Sequence, residues 1–315
     1  MNPLSRYCLT PEGSNCYTFF VSLILFTPTK KVFTLKKIGI LYHPMVKATQ
    51  KKAGELQEFL SSRGIHIWLC SAWEAEKART LLNGTDLILT VGGDGTILRA
   101  AQVLVTGKTP ITGINMGKLG FMTELNPDEA MEKIVDLLDG KGWIDERAML
   151  QAELSGDGKE PQTFHALNDV VVGRGAIIRV VYIDVNINNQ QFITYKTDAL
   201  IMATATGSTG YSLAAGGPMM YPQSRDFLLV PVAPHLCSSY NMVLPSTAIV
   251  ELRIDTVHEA VLCVDGHINL PLLSGDCITV RQSPCTTWFL RIHPETSFYS
   301  SFEQRLKGKS HDESS

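Results

Sequence analysis

The chain has 315 residues and a formal net charge of −3, with 44% of its residues hydrophobic against 19% charged. That balance fits about two globular domains with substantial cores, and it offers no basic surface for nucleic acid or an anionic membrane. Seven cysteines, an odd number with no CxxC pair, argue against a disulfide framework or a structural zinc site and for reduced thiols in the cytoplasm.

Met1 to Thr34 stands apart. It holds Tyr17 to Phe26, an apolar run of ten residues, where a membrane span needs roughly 17–25. A signal peptide would need a basic start and a small-residue cleavage site, but Pro28, Lys30 and Lys31 follow instead. An extra strand, a poorly ordered extension over 1–35 and a start codon assigned too far upstream are the readings it allows. The folded part is expected to begin near Lys36.

Lys37 to Tyr42 reads as a buried strand. Lys47 to Arg63 then carries Ala53, Leu56 and Leu60 at helical spacing and is closed by Gly64. Ile65 to Leu69 reads as a second strand and Trp73 to Leu82 as a second helix. Asp86 to Val91 is a β-branched run suited to a strand buried on both faces. It breaks into Gly92-Gly93-Asp94-Gly95-Thr96, after which Ile97, Ala101, Leu104 and Val105 share one helical face. Ile111 to Asn115 is one more strand. Asn126-Pro127-Asp128-Glu129 forms a capping box that starts a helix with Ala130, Ile134, Leu137 and Leu138 on its buried side.

After about Glu146 the hydrophobic period changes from 3.6 to 2. Val181, Ile183, Val185 and Ile187 alternate with polar residues, and Asn188-Asn189 suits a hairpin turn. Val250, Leu252 and Ile254 alternate likewise, as do Ala260, Leu262 and Val264 before the Asp265-Gly266 turn. The expected fold class is α/β plus β: a Rossmann-like parallel α/β domain over 36–146, then a β-rich, sandwich-like domain over 147–287. Residues 288–305 are expected to pack back on the first domain, and Lys307 to Ser315 to fray.

Four stretches carry chemistry. A strand turning through glycines into a helix presents free N–H groups and a positive dipole end to anions. A carboxylate there would repel phosphate, so Asp94 points instead to phosphoryl transfer, drawing the proton from an attacking hydroxyl; an ordinary βα turn is the alternative. Asn168-Asp169 could hold a ribose or form an Asx turn. Thr197 to Pro218 opens from a strand into a loop dense in hydroxyls and glycines, without the lysine of a Walker loop. Val230 to Pro245 reads as a rigid turn between strands, with His235 a structural histidine.

Taken together these residues resemble the NAD kinase family. The resemblance rests on GGDGT at 92–96, INMGKLGF at 114–121, ERAML at 146–150, Asn168-Asp169, the Asp198 to Pro218 block, VAPH at 232–235 and Asp265-Gly266. It covers about residues 36 to 300 and implies an enzyme that phosphorylates NAD with ATP to give NADP and ADP. The cofactor implied is a divalent metal, Mg²⁺, arriving with ATP. The family tends to form dimers and tetramers, so a homo-oligomer in the cytoplasm is expected, with no nucleic-acid or membrane partner. By position Asp94 matches the catalytic aspartate, while Gly95 and Arg99 lie beside the bound dinucleotide. Asn168 and Asp169 match the ribose pair. Arg179 and Lys196 match dinucleotide contacts, and Asp198 matches the acidic residue on the nicotinamide or partner-subunit side. Thr209, Gly210, Tyr211, Ser212, Leu213 and Ala214 match the adenine loop, and His267 a polar ligand contact. Lys196 is read either as neutralising Asp198 or as approaching the nicotinamide with it. Departures are Asp169 for Glu, Ala199 for Gly, Ala205 for Pro, Gly210 for Ala and Ala214 for Ser. A lipid kinase of the same fold and a dinucleotide-binding regulator without catalysis are the alternatives.

Overall fold

Leu87–Gly92, six residues buried without exception, forms the strand about which the N-terminal half is built. The computed structural model describes residues 35–117, 120–156, 158–175, 179–235, 240–256 and 258–296; the expectations for Met1 to Thr34 and for the tail after 296 lie outside them. In chain order the first half runs β1 (Lys37–Tyr42), α1 (Lys47–Ser61), β2 (His66–Ser71), α2 (Ala75–Leu81), β3 (Leu87–Gly92), α3 (Asp94–Val103), β4 (Ile111–Asn115) and α4 (Ala130–Leu138). The strands lie parallel in the order β2-β1-β3-β4. Chain order reverses between β1 and β3, and at such a switch point the loops leaving the carboxyl ends splay apart and leave a crevice.

The helices cover both faces of this parallel part. Ala53, Leu56 and Leu60 of α1 and Ile134 and Leu137 of α4 pack with Ile38, Ile40 and Leu89. Ala78 of α2 and Ile97, Ala101 and Leu104 near α3 pack on the other face with Leu41 and Ile88. The capping box forms as expected. Asn126 Oδ1 accepts the amides of Asp128 and Glu129, and Glu129 Oε1 accepts the amide of Asn126 at 2.9 Å.

Among the described residues the regular elements of the second half are strands, apart from a 3-10 turn at Gly207–Thr209 and one short α-helix. It comprises β5 (Trp143–Gly156), β6 (Lys159–Ala166), β7 (Asp169–Arg174), β8 (Val181–Ile187), β9 (Gln190–Thr197), β10 (Ala199–Ala203), α5 (Tyr211–Ala214), β11 (Phe227–Val232), β12 (Met242–Leu244), β13 (Ile249–Asp255), β14 (Ala260–Val264), β15 (Ile268–Leu272) and β16 (Cys277–Arg291). Both expected turns are seen, and Asn188, Asn189, Asp265 and Gly266 all have positive φ. Asn188-Asn189 is a two-residue hairpin, whereas β14 and β15 are joined by three residues, Asp265-Gly266-His267.

The α/β and β parts are not separate sheets. β16 lies beside β4 at one end and pairs with β13 at the other, so ten strands form one continuous sheet. A six-stranded sheet, β12-β11-β10-β7-β14-β15, faces its antiparallel end. Val170, Val172, Leu200 and Met202 from this sheet share a core with Val181, Ile183, Val250 and Val280 from the larger one. The β-rich half is thus sandwich-like.

Candidate active site

The glycine turn after β3 stands at the switch point, and its aspartate begins α3. Asp94 is half-buried. Its carboxylate is held from across the sheet: Oδ2 accepts the amide of Phe121 at 2.8 Å and Oδ1 that of Met122 at 3.2 Å. The loop comes this close because residue 120 is glycine; a Cβ there would lie 2.2 Å from Asp94 Oδ1. Two N–H donors leave about half of the carboxylate's acceptor sites for an incoming hydroxyl.

Gly93 and Gly95, on either side of Asp94, open onto a cleft of about 420 Å³ that is also lined by His43, Trp73, Thr96, Arg99 and His267. The Arg99 guanidinium stacks 4.1 Å from the centre of the Trp73 ring, and His43 meets that ring edge-on. His267 is oriented by a contact from Nδ1 to the Asp265 carbonyl at 2.9 Å.

Asp265 is buried at the back of this cleft. Its carboxylate accepts the amides of Leu167, Asn168 and Asp169 and the side-chain amide of Gln102, at 2.7–3.2 Å. These donors oppose the burial that pushes its carboxyl up. Asp169 stands beside it with no such set. Burial, and then the Asp265 charge, push the Asp169 carboxyl up to about 7.

Asn168 is pressed against the hydroxyl-rich loop. Its carbonyl accepts the Thr204 amide, and a Cβ on Gly207 would lie 2.0 Å from that same oxygen. The Asn168 side-chain Oδ1 is buried with no hydrogen-bond partner among the described residues. A buried acceptor left open is expensive, and it marks a place for a donor.

A second cleft, of about 400 Å³, lies on the face of the smaller sheet that carries Val171, Gly173, Asp198, Ala199, Tyr211 and Cys263. Asp198 is paired there with Arg174, Nε to Oδ1 3.5 Å. The reading of Lys196 as its neutralising partner is therefore corrected. Lys196 instead holds its ammonium 5.7 Å from the centre of the Tyr182 ring across the β8–β9 pair.

The other expected residues are placed unevenly. Tyr211 is exposed and lines the second cleft, whereas Ser212 is fully buried and faces Gly217. Thr209, Gly210, Leu213 and Ala214 are part of the same turn but line neither cleft, and Arg179 is exposed outside both. Three of the loop's hydroxyls are taken up by backbone carbonyls, two of them the loop's own. Thr204, Ser208 and Thr209 donate to the carbonyls of Leu167, Ala205 and Thr206. Sequence reasoning missed His43, Trp73 and Arg174. The first two follow β1 and β2 at the carboxyl edge and could have been found from that rule alone; Arg174 depends on strand register.

The family model described as ATP-NAD kinase N-terminal domain matches residues 42–141, and that described as ATP-NAD kinase C-terminal domain matches residues 167–292. A NAD kinase of Dehalococcoides mccartyi is 49% identical over 274 residues, covering 87% of this chain and 96% of the relative. The chain belongs to the NAD kinase family. A NAD kinase of Chloroflexus aurantiacus is 38% identical over 87% of the chain and 99% of its own length. Two solved structures share the fold. Yeast NADH kinase complexed with NADH has a TM-score of 0.77 at 23% identity, over 90% of this chain and 89% of that one. An Archaeoglobus fulgidus NAD kinase in complex with ATP has a TM-score of 0.72 at 24% identity, over 86% and 98%. The first of these family models covers the glycine turn, and the second covers Asn168 and Asp265.

Proposed function

We propose that the chain phosphorylates the 2′-hydroxyl of the adenosine ribose of NAD with ATP, giving NADP and ADP, with Asp94 as general base. The hydroxyl oxygen forms its bond to the γ-phosphorus as the bond to the β–γ bridging oxygen breaks. The hydroxyl proton passes to the Asp94 carboxylate, and ADP leaves. The observation that carries this reading is the Asp94 carboxylate, fixed by two backbone amides beside a glycine-lined cleft at the switch point.

Asn168 Oδ1 and Asp169 would accept ribose hydroxyls, Gly95 and Arg99 would lie beside the bound dinucleotide, and the ATP phosphates would enter near the glycine loop. Tyr211, Asp198 and Arg174 would line the far end of the dinucleotide site, with the chain acting as a dimer or tetramer in the cytoplasm. No group of three or more His, Cys, Asp or Glu suited to a metal occurs among the described residues. Of the cleft carboxylates, Asp265 is already taken up by four N–H donors. This donor set suits Mg²⁺ delivered on the ATP phosphates, where it neutralises charge, rather than a cation caged by protein. Among the described residues no helix is long and apolar enough to cross a membrane.

Asp94→Asn is expected to lower turnover by about 10²–10⁴, the usual worth of a general base, with NAD⁺ affinity kept within a few-fold. Initial rates and calorimetric titration of the variant check this; near-normal turnover would remove Asp94 from the reaction.

A further inference from the structure

Apart from the cleft residues, one buried cluster of charges is unused by the reaction as described. Asp145, Arg147, Arg291 and Glu124 have side chains at most 8% exposed. Arg147 clasps Asp145 through Nε and Nη2 at 2.6–2.8 Å, and Arg291 reaches both Asp145 and Glu124 at 3.2 Å. Both guanidinium groups lie over the buried Phe289 ring. Burying ions is costly, and an apolar filling of the same space is often the more stable choice. What the cluster adds is reach.

Arg291 Nη1 donates to the Met122 carbonyl at 2.7 Å. Met122 and Phe121 are the two residues whose amides hold Asp94. Glu124 fastens the same loop to the end of β16, accepting the amides of Ile292 and His293 at 2.8 Å. On the other side, Arg147 Nη1 contacts Thr206 Oγ1 at 3.2 Å, in the loop pressed against Asn168. The cluster therefore ties the loop that fixes the carboxylate to the loop beside the proposed ribose site.

We propose that Arg291 is a positioning residue for Asp94: through Met122 it sets where the carboxylate stands relative to the acceptor hydroxyl. The proposal rests on Asp94 being the base. Arg291→Lys keeps a cation beside Asp145 and Glu124, but a single nitrogen cannot hold Asp145 and the Met122 carbonyl together. The variant is expected to lose about ten- to a hundredfold in kcat with the KM for NAD⁺ within about threefold, because only the alignment of reacting groups changes.

The deciding comparison is the same substitution in an Asp94→Asn background. There it should change kcat by less than about twofold, since the group it positions is gone. Equal losses in both backgrounds, or a rise in KM with kcat unchanged, would overturn the proposal and leave Arg291 a purely structural residue. Near-normal kcat in Arg291→Lys alone would overturn it too. If Asp94→Asn by itself keeps turnover, it is the base assignment that fails. Gly120→Ala tests the coupling without touching the buried charges: its Cβ would press on the Asp94 carboxylate, and it should reproduce the kcat loss at unchanged KM. A normal kcat there would show that the loop does not set the carboxylate's position. Thermal melts of each variant establish that the folded state is retained.

Discussion

Asp169 is, with Asp265, one of two neighbouring site carboxyls whose hold on a proton burial strengthens. Its carboxyl is pushed up to about 7, by burial first and the Asp265 charge second, against roughly 3.9 in an unfolded chain. The folded state therefore holds this proton more tightly than the unfolded one. The stabilisation is complete below about pH 4 and is lost as pH rises through about 7. Asp169→Asn removes the titrating group while keeping its size. The variant should gain clearly more stability over the parent at pH 8 than at pH 5, measured by urea unfolding at both values. A gain of the same size at both would mean that Asp169 does not titrate in that interval. The residue was legible in the sequence as half of an amide–carboxylate pair. Its protonation was not, because Asp265 is 96 positions away and only the β7–β14 pairing brings the two together.

At the scale of single elements the sequence was most readable where backbone chemistry is local. The capping box at Asn126 and the tight turns at Asn188-Asn189 and Asp265-Gly266 each use residues chosen for one backbone geometry, and each is found where expected. Asn126→Ala should accordingly cost about 1 kcal/mol, the usual worth of an N-cap, and leave kcat unchanged, since α4 lines neither cleft. Chemical denaturation of the variant measures the first and initial rates the second; a loss below about 0.3 kcal/mol would mean that solvent replaces the cap. In the turn from 204 to 212 the hydroxyls signalled hydrogen-bonding capacity without saying where it goes: Ser208 and Thr209 close the turn on its own carbonyls, Thr204 reaches back to Leu167, and Thr206 meets Arg147. What the turn supplies to the second cleft is the Tyr211 side chain.

For the molecule as a whole, the change of hydrophobic period near Glu146 suggests two domains, and the two strands that follow from it argue for one folding unit. β5 begins beside the parallel part of the sheet, with Trp143 opposite Arg291, and ends in the antiparallel part, with Ser155 opposite Cys277. β16 runs the same distance in reverse and pairs with β13 along its first residues. Separating the halves would break this ladder and also expose the buried Asp145–Arg147–Arg291 cluster, where removing one partner of a buried pair typically costs about 3–5 kcal/mol. Unfolding either half would fray the paired β5 and β16 strands that run through both. We therefore propose a boundary in sequence without a boundary in stability. Differential scanning calorimetry should give one endotherm whose calorimetric and van't Hoff enthalpies agree within about 10–20% per folding unit. Two resolved transitions, one of which shifts with NAD⁺ and one of which does not, would show that β5 and β16 join domains that unfold independently.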